Sequence, residues 1–260
     1  MNVLTLISHL IDYPTQALCD EQSLIRRLIQ EDDSLNTVDK EAIDQFIVSR
    51  MQMPLLDWQS DYDALFERGR SLSLLLFEHL HGESRDRGQA MIDLMTQYKQ
   101  AGLAIGVREL PDHIPLFLEF LSTQGEKNAR LWLQDVSHIL ALLQVRLVER
   151  ENDYACLFTA LVNLAKAEID FNDLIKQVKG EVRDDTPEAI DKVWEEEMVT
   201  FGAEANSTAC GTSNHKPSDN QRRDQEVPIH LMDPILKNTD GDSITSSTKK
   251  NNATKTAGGH

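Results

Sequence analysis

His79 and His81, with Glu78 and Glu83 beside them, form the tightest group of potential metal ligands in the chain. A zinc-type site needs ligands that converge, as two histidines at i and i+4 do on one helical face. Here the rings are two residues apart, which on a helix turns them to different faces, and no HExxH is present. The alternative is a polar bend after an apolar run, in which the histidines satisfy backbone groups or face solvent. Serine, histidine and aspartate are plentiful, yet no GxSxG elbow, glycine-rich phosphate loop or dinucleotide fingerprint is there to seat a nucleophile or a cofactor. Cys19, Cys156 and Cys210 are widely spaced without a CxxC pair, so neither a disulfide framework nor a thiolate metal site is indicated. A protein that is not an enzyme, with no metal or cofactor of its own, is the expectation, and a metal-dependent enzyme is the competing class.

What remains is binding chemistry. Trp58, Tyr62, Leu65 and Phe66 fall at i, i+4, i+7 and i+8, so three aromatics and a leucine share one helical face, with Asp57, Asp61, Asp63 and Glu67 among the remaining positions. Core packing accounts for such a face. So does a groove in which a few apolar anchors receive an amphipathic helix while a charged rim steers it. Further on, Pro111, Asp112 and His113 make a turn directly ahead of an amphipathic helix, and the Asp112 side chain is placed to cap that helix.

The elements that must position these residues read as helix after helix. Val3, Leu6, Ile7 and Leu10 make a first apolar face, and Leu18, Ile25, Leu28 and Ile29 a second. Val38, Ala42, Ile43, Phe46 and Ile47 make a third, with Thr37 as its cap. The apolar run Leu72 to Phe77 reads as a buried helix or connector. Ser84 is the expected N-cap of a helix with Met91, Leu94, Met95 and Tyr98 inward and Gly102 as its stop. Ile114, Phe117, Leu118 and Leu121 follow, with Pro115 in the first turn where it is tolerated. Leu131, Ile139, Leu140, Leu143 and Leu147, and then Tyr154, Leu157, Phe158, Leu161, Leu164 and Ala165, continue the pattern. Thr186 and Pro187 open a late helix with Ile190, Val193, Trp194 and Met198 inward. No convincing period-two strand appears. The fold expected is all-α, a single domain of about eight to ten helices over residues 1–201.

From Gly202 onward Ser, Thr, Asn, Lys and Gly dominate, a composition that predicts a disordered tail over 202–260. The tail holds seven acids (Glu204, Asp219, Asp224, Glu226, Asp233, Asp240, Asp242) and seven bases (Lys216, Arg222, Arg223, Lys237, Lys249, Lys250, Lys255), so the whole formal charge of −17 sits on the helical part. Within it, VPIHLMDPIL (Val227 to Leu236) has the make-up of a short docking segment. Forty-three acids against 26 bases argue against a nucleic-acid partner and favour a basic client. No basic n-region precedes the first apolar positions, no run of eighteen apolar residues occurs, and an acidic surface is repelled by anionic lipid. The expected location is the cytoplasm, without membrane insertion.

Several long strings carry a resemblance: LISHLIDYP (Leu6 to Pro14), LFERGR, LLLFEHLHGESRDRGQAM, RELPDHIPLFLEFL (Arg108 to Leu121) and TPEAIDKVWEEE (Thr186 to Glu197). Over about residues 1–201 the chain resembles the nitrate reductase assembly chaperones, the delta chain of the membrane-bound respiratory enzyme, within the redox-enzyme maturation proteins. The resemblance implies a helical chaperone of anaerobic respiration. Its client would be the catalytic subunit of a membrane-bound nitrate reductase, bound in part through its N-terminal peptide. The chaperone would hold it until the molybdenum cofactor is inserted and keep it from docking at the membrane too early. Proteins of molybdenum cofactor biosynthesis would be further partners. Carried over residue by residue, Tyr62, Leu65 and Phe66 match the YxxLF positions and Asp112 and His113 the PDH positions of the client-peptide site, with Glu109 and Arg70 beside them. A chaperone for another molybdoenzyme would share the fold and the PDH turn but lack the FEHLHGESRDRGQAM string. The tail has no counterpart in the family pattern.

Overall fold

The computed structural model describes residues 2–81, 85–106 and 109–192. In chain order these form α1 (Asn2–Ile11), α2 (Gln16–Asp20), α3 (Gln22–Glu31), α4 (Thr37–Met51), α5 (Leu55–Tyr62) running into a π-helical turn (Asp63–Glu67), α6 (Leu76–His81), α7 (Arg85–Gln100), α8 (Ile114–Thr123), α9 (Glu126–Asp135), α10 (Ser137–Glu149), α11 (Ala155–Ala165) and α12 (Phe171–Lys179). A further helical stretch covers 187–192. The all-α class is as expected. The pieces among the described residues outnumber the eight to ten expected, in part because three helices are broken: α2 passes into α3 at Glu21, α5 widens into the π-turn, and α9 meets α10 at Val136 with a 66° bend. No single helix among the described residues is long and apolar enough to cross a membrane.

Burial follows the apolar stripes. Val3, Leu4, Ile7, Leu10 and Ile11 close α1 against α8, so tightly that the Ser8 hydroxyl donates to the Pro115 carbonyl at 2.9 Å. α10 packs on α11 and α12, burying Ile139, Leu140, Leu143 and Leu147 against Leu157, Phe158, Leu161 and Leu164. Four expected inward residues turn outward: Leu28, Val38, Met95 and Leu131 are exposed. Leu131 lies two residues from both Ala129 and Leu133, the buried positions of α9, and therefore on the opposite face. Val38 precedes the stripe of Asp39, Ile43, Phe46 and Ile47 on α4.

The caps correct one expectation and support two. Asn36, rather than Thr37, caps α4, its Oδ1 accepting from the Asp39 amide at 2.8 Å. Asp39 in turn is buried and accepts from Asn163 of α11 at 3.0 Å, tying the two helices together. α7 stops at Gly102, at φ +79°, with the Leu103 amide reaching back to the Tyr98 carbonyl at 2.9 Å. The Thr186 hydroxyl accepts from the Ala189 amide at 3.2 Å. Ser84, Val193, Trp194, Met198, Cys210, the 202–260 tail and its VPIHLMDPIL segment lie outside the described residues.

Candidate functional site

The Trp58–Phe66 face is a wall of the core. Trp58, Tyr62, Leu65 and Phe66 are all buried, and the π-turn brings Leu65 and Phe66 inward together after Tyr62. Tyr154 is the hub they meet: its hydroxyl accepts from Trp58 Nε1 at 2.8 Å, and its ring stands edge-on to Phe66 at 5.0 Å and to Phe46 at 4.9 Å. Arg50 closes this cluster, its guanidinium 5.0 Å from the Tyr154 ring centroid while it pairs with Asp61 and Asp153. Toward the surface Tyr62 meets Tyr13, partly exposed, at 5.4 Å in an edge-to-face contact.

The 72–77 run is a connector pinned to the PDH turn. Leu72, Ser73, Leu74 and Leu76 are buried, and an antiparallel bridge pairs Leu75 with His113. Its bonds are Leu76 N–H to the Asp112 carbonyl at 3.0 Å and Ile114 N–H to the Leu74 carbonyl at 2.8 Å. The Asp112 side chain, fully buried, accepts from the Phe77 amide at 3.1 Å. It therefore caps the start of α6 across the bridge and not α8, whose N-cap is His113 without a side-chain bond. The reason is geometric: the bridge aims Asp112 at the open first turn of the neighbouring helix. Tyr98 holds the same turn from below, donating to the Pro111 carbonyl at 2.7 Å. His79 satisfies a backbone group, its Nε2 lying 2.8 Å from the Ser73 carbonyl oxygen.

Charge brings the two motifs together. Burial pushes the Tyr62 phenol up first, and Asp12, Glu67 and Asp63 push it further. Burial holds the His113 imidazole below its ordinary value, while Asp12, Glu109, Glu67 and Asp112 pull it upward. The carboxylates of Asp12 and Glu67 thus act on both Tyr62 and His113, and Asp63, Glu67 and Glu109 are exposed around them. Tyr62 and His113 therefore share an acidic patch, with the exposed Tyr13 packed edge-on against the buried Tyr62. Asp12 and Tyr13 were not among the residues singled out from sequence. The signal was there in the DYP triplet, which ends α1 beside Pro14. Arg70 stands apart, its backbone N–H committed to Asp184 at 2.6 Å. Among the described residues no group of three His, Cys, Asp or Glu side chains could hold a metal ion.

Residues 30–160 match the family model of the nitrate reductase delta subunit, and 210 residues are 47% identical to the nitrate reductase molybdenum cofactor assembly chaperone NarJ of Escherichia coli (strain K12), over 81% of this chain and 88% of that one. The chain belongs to the nitrate reductase delta subunit family. A second family member, described as a probable nitrate reductase molybdenum cofactor assembly chaperone, NarW, of the same strain, is 46% identical over 215 residues, covering 82% of this chain and 89% of the relative. A probable NarJ of Bacillus subtilis (strain 168) is 30% identical over 101 residues, 39% of this chain and 55% of that one.

The two half-buried histidines make stability pH-dependent. His79 and His113 are both held below the ordinary 6.5, first by burial, so folding favours the neutral ring. Above about pH 7 both states carry neutral rings and nothing is lost. As pH falls below 6.5 the unfolded chain takes up protons that the folded one refuses, and stability drops by up to about 1.4 kcal/mol per pH unit for each ring. The carboxylates held low, Asp44, Asp184 and Asp185, contribute only in a more acidic window. Melting temperature should be flat from about pH 8 to 7 and fall as the pH drops below about 6.5. A double His79→Gln, His113→Gln variant should lose most of that step, and a step of parental size in the variant would assign it to other groups.

Proposed function

We propose that this chain is a dedicated assembly chaperone for a membrane-bound nitrate reductase, not an enzyme. It holds the catalytic subunit, including its N-terminal peptide, until the molybdenum cofactor is in place and before the subunit docks at the membrane. The observation that carries the reading is kinship over most of its length to proteins named as nitrate reductase molybdenum cofactor assembly chaperones, and the exposed carboxylates of Asp63, Glu67 and Glu109 near Tyr62 and His113 support an acidic patch as the peptide site. An amphipathic peptide with basic residues suits such a patch: apolar anchors meet Tyr13 and the partly exposed edge of His113, while Asp12, Asp63, Glu67 and Glu109 attract the cations. Tyr62, Leu65 and Phe66, being buried, support the patch from beneath. Asp112 positions the turn that carries Glu109 and His113, and Arg70 belongs to the loop that follows the π-turn.

The test is association kinetics with a synthetic peptide of the catalytic subunit's N-terminus. Exposed rim charges act through about 8–10 Å of salt solution and chiefly set the rate of encounter. Raising ionic strength from low to physiological should slow association far more than it speeds dissociation. The Glu67→Lys, Glu109→Lys double variant should bind at least about ten-fold more weakly, again through association, with melting near that of the parent. Association rates equal at both salts and in both proteins would overturn the acidic patch as the peptide site.

A further inference from the structure

The segment after α12 is fastened by its carboxylates. Asp184 Oδ2 accepts from two successive backbone amides, Arg70 N–H at 2.6 Å and Ser71 N–H at 2.7 Å, and Oδ1 accepts from the Ser71 hydroxyl at 2.6 Å and from Arg150 at 3.3 Å. Arg150 also pairs with Asp185 at 3.2 Å, and Arg146 holds the loop from behind through the Ser71 carbonyl at 2.7 Å. Gly69 sits at φ +81°, and a Cβ there would lie 2.6 Å from the Asp184 carboxyl carbon, so the loop must have glycine both to turn and to admit the group. Consecutive amides converging on one oxygen after a left-handed residue are the geometry of a backbone anion nest. Burial raises the Asp184 carboxyl, but its bonds from Ser71 and Arg70 outweigh that and hold it below the usual range.

Two features separate this from an ordinary structural clasp. The strap has little apolar attachment where it crosses the loop: Glu181, Val182 and Arg183 are exposed, Val182 to 91%. Beside it opens a cleft of about 210 Å³ whose walls include Arg146, Arg150, Lys179 and Arg183 against Glu149 and Glu181, with Arg146 paired to Glu181 at 2.7 Å and Arg183 to Asp185 at 2.7 Å, so that displacing the strap would release cations to an incoming anion. We propose that the 69–71 loop and this cleft form a binding site for a phosphate-type oxyanion, which the side chain of Asp184 fills in the resting protein. Asp184 and Asp185 together set two negative charges against Arg150. A phosphate monoester carries about 1.5 to 2 charges on three acceptor oxygens and matches that pair better than one carboxylate does. Its binding displaces the strap at 181–185 and frees the loop that joins the π-turn to the connector. The inference stands independently of the peptide site, and its test involves no client.

The test follows thermal melting of the full chain in millimolar inorganic phosphate, in acetate, and in chloride at matched ionic strength. A ligand that binds only the folded state raises the melting temperature according to its occupancy. In Asp184→Ala phosphate should raise melting by several degrees more than chloride or acetate does. The parent should respond less, because Asp184 competes, and Asp184→Ala combined with Arg150→Ala should not respond. A folded Asp184→Ala with no phosphate-specific rise overturns the proposal, as does a rise equal to the parent's, which would place the ion elsewhere. Acetate matching phosphate would overturn the assignment to phosphate. Should the alanine variant not fold, Asp184→Asn, which keeps the shape without the charge, is read the same way. If neither folds, Asp184 is an obligatory structural bond and exchange is excluded.

Discussion

Phe66→Ala should destabilise the fold by about 3–5 kcal/mol, the cost of emptying a buried aromatic site. The side chain is 4% exposed, with Tyr62 at 5.0 Å on one side and Tyr154 at 5.0 Å on the other. Neither neighbour can collapse into the gap, since Tyr154 is tied to Trp58 by its hydroxyl and Tyr62 is braced by Tyr13. In a domain of this size each kcal/mol is worth about 2–4 °C, so melting should drop by roughly 6–20 °C. Tyr62→Phe keeps the ring contacts and should cost less than about 1.5 kcal/mol. Both are read by thermal melting, with peptide binding measured only where the variant is folded. A Phe66→Ala protein that melts within about 1 kcal/mol of the parent would show that the ring is not a core residue, and would return it to the client surface as a direct anchor.

Asp112→Ala should cost about 1–3 kcal/mol, because it leaves the Phe77 amide without its acceptor inside the fold. Asp112→Ser should fall on the same side: the shorter side chain has to span a bridge between two segments, not cap its own helix. Asp112→Asn is the informative change. It retains an acceptor for Phe77 and removes a charge from a fully buried side chain whose Oδ1 has no hydrogen-bond partner, so melting should stay near the parent. If Asp112 acts by positioning, Asp112→Asn binds the client peptide within about three-fold of the parent, while Asp112→Ala loses both stability and binding. Peptide binding weakened by about ten-fold or more in a normally melting Asp112→Asn would mean that the carboxylate charge itself reaches the client.

Sequence alone determined the helical class, the run of apolar stripes and the glycine stop of α7, since the spacing of apolar residues records which side of each helix meets the core. It also pointed to the family, which the match to the family model and to relatives supports. The errors cluster where period alone carries no sign. Leu131 and Val38 are apolar residues off the stripe, and only the neighbouring helices decide that those faces are wet. For the Trp58–Phe66 face the sequence favoured core but left a groove open, because both demand the same residues. Tyr154, 88 positions after Phe66 in the chain, decides for core. The same holds for Asp112, which has a cap's position before α8 but spends its carboxylate on α6, because a bridge to Leu75 turns it there. Asp12 and Glu67 come together over Tyr62 and His113 from separate stretches, and Asp184 reaches the 69–71 loop from more than a hundred residues away. Such meetings depend on how helices cross. Local spacing encodes a residue's face, and only tertiary packing supplies what that face meets.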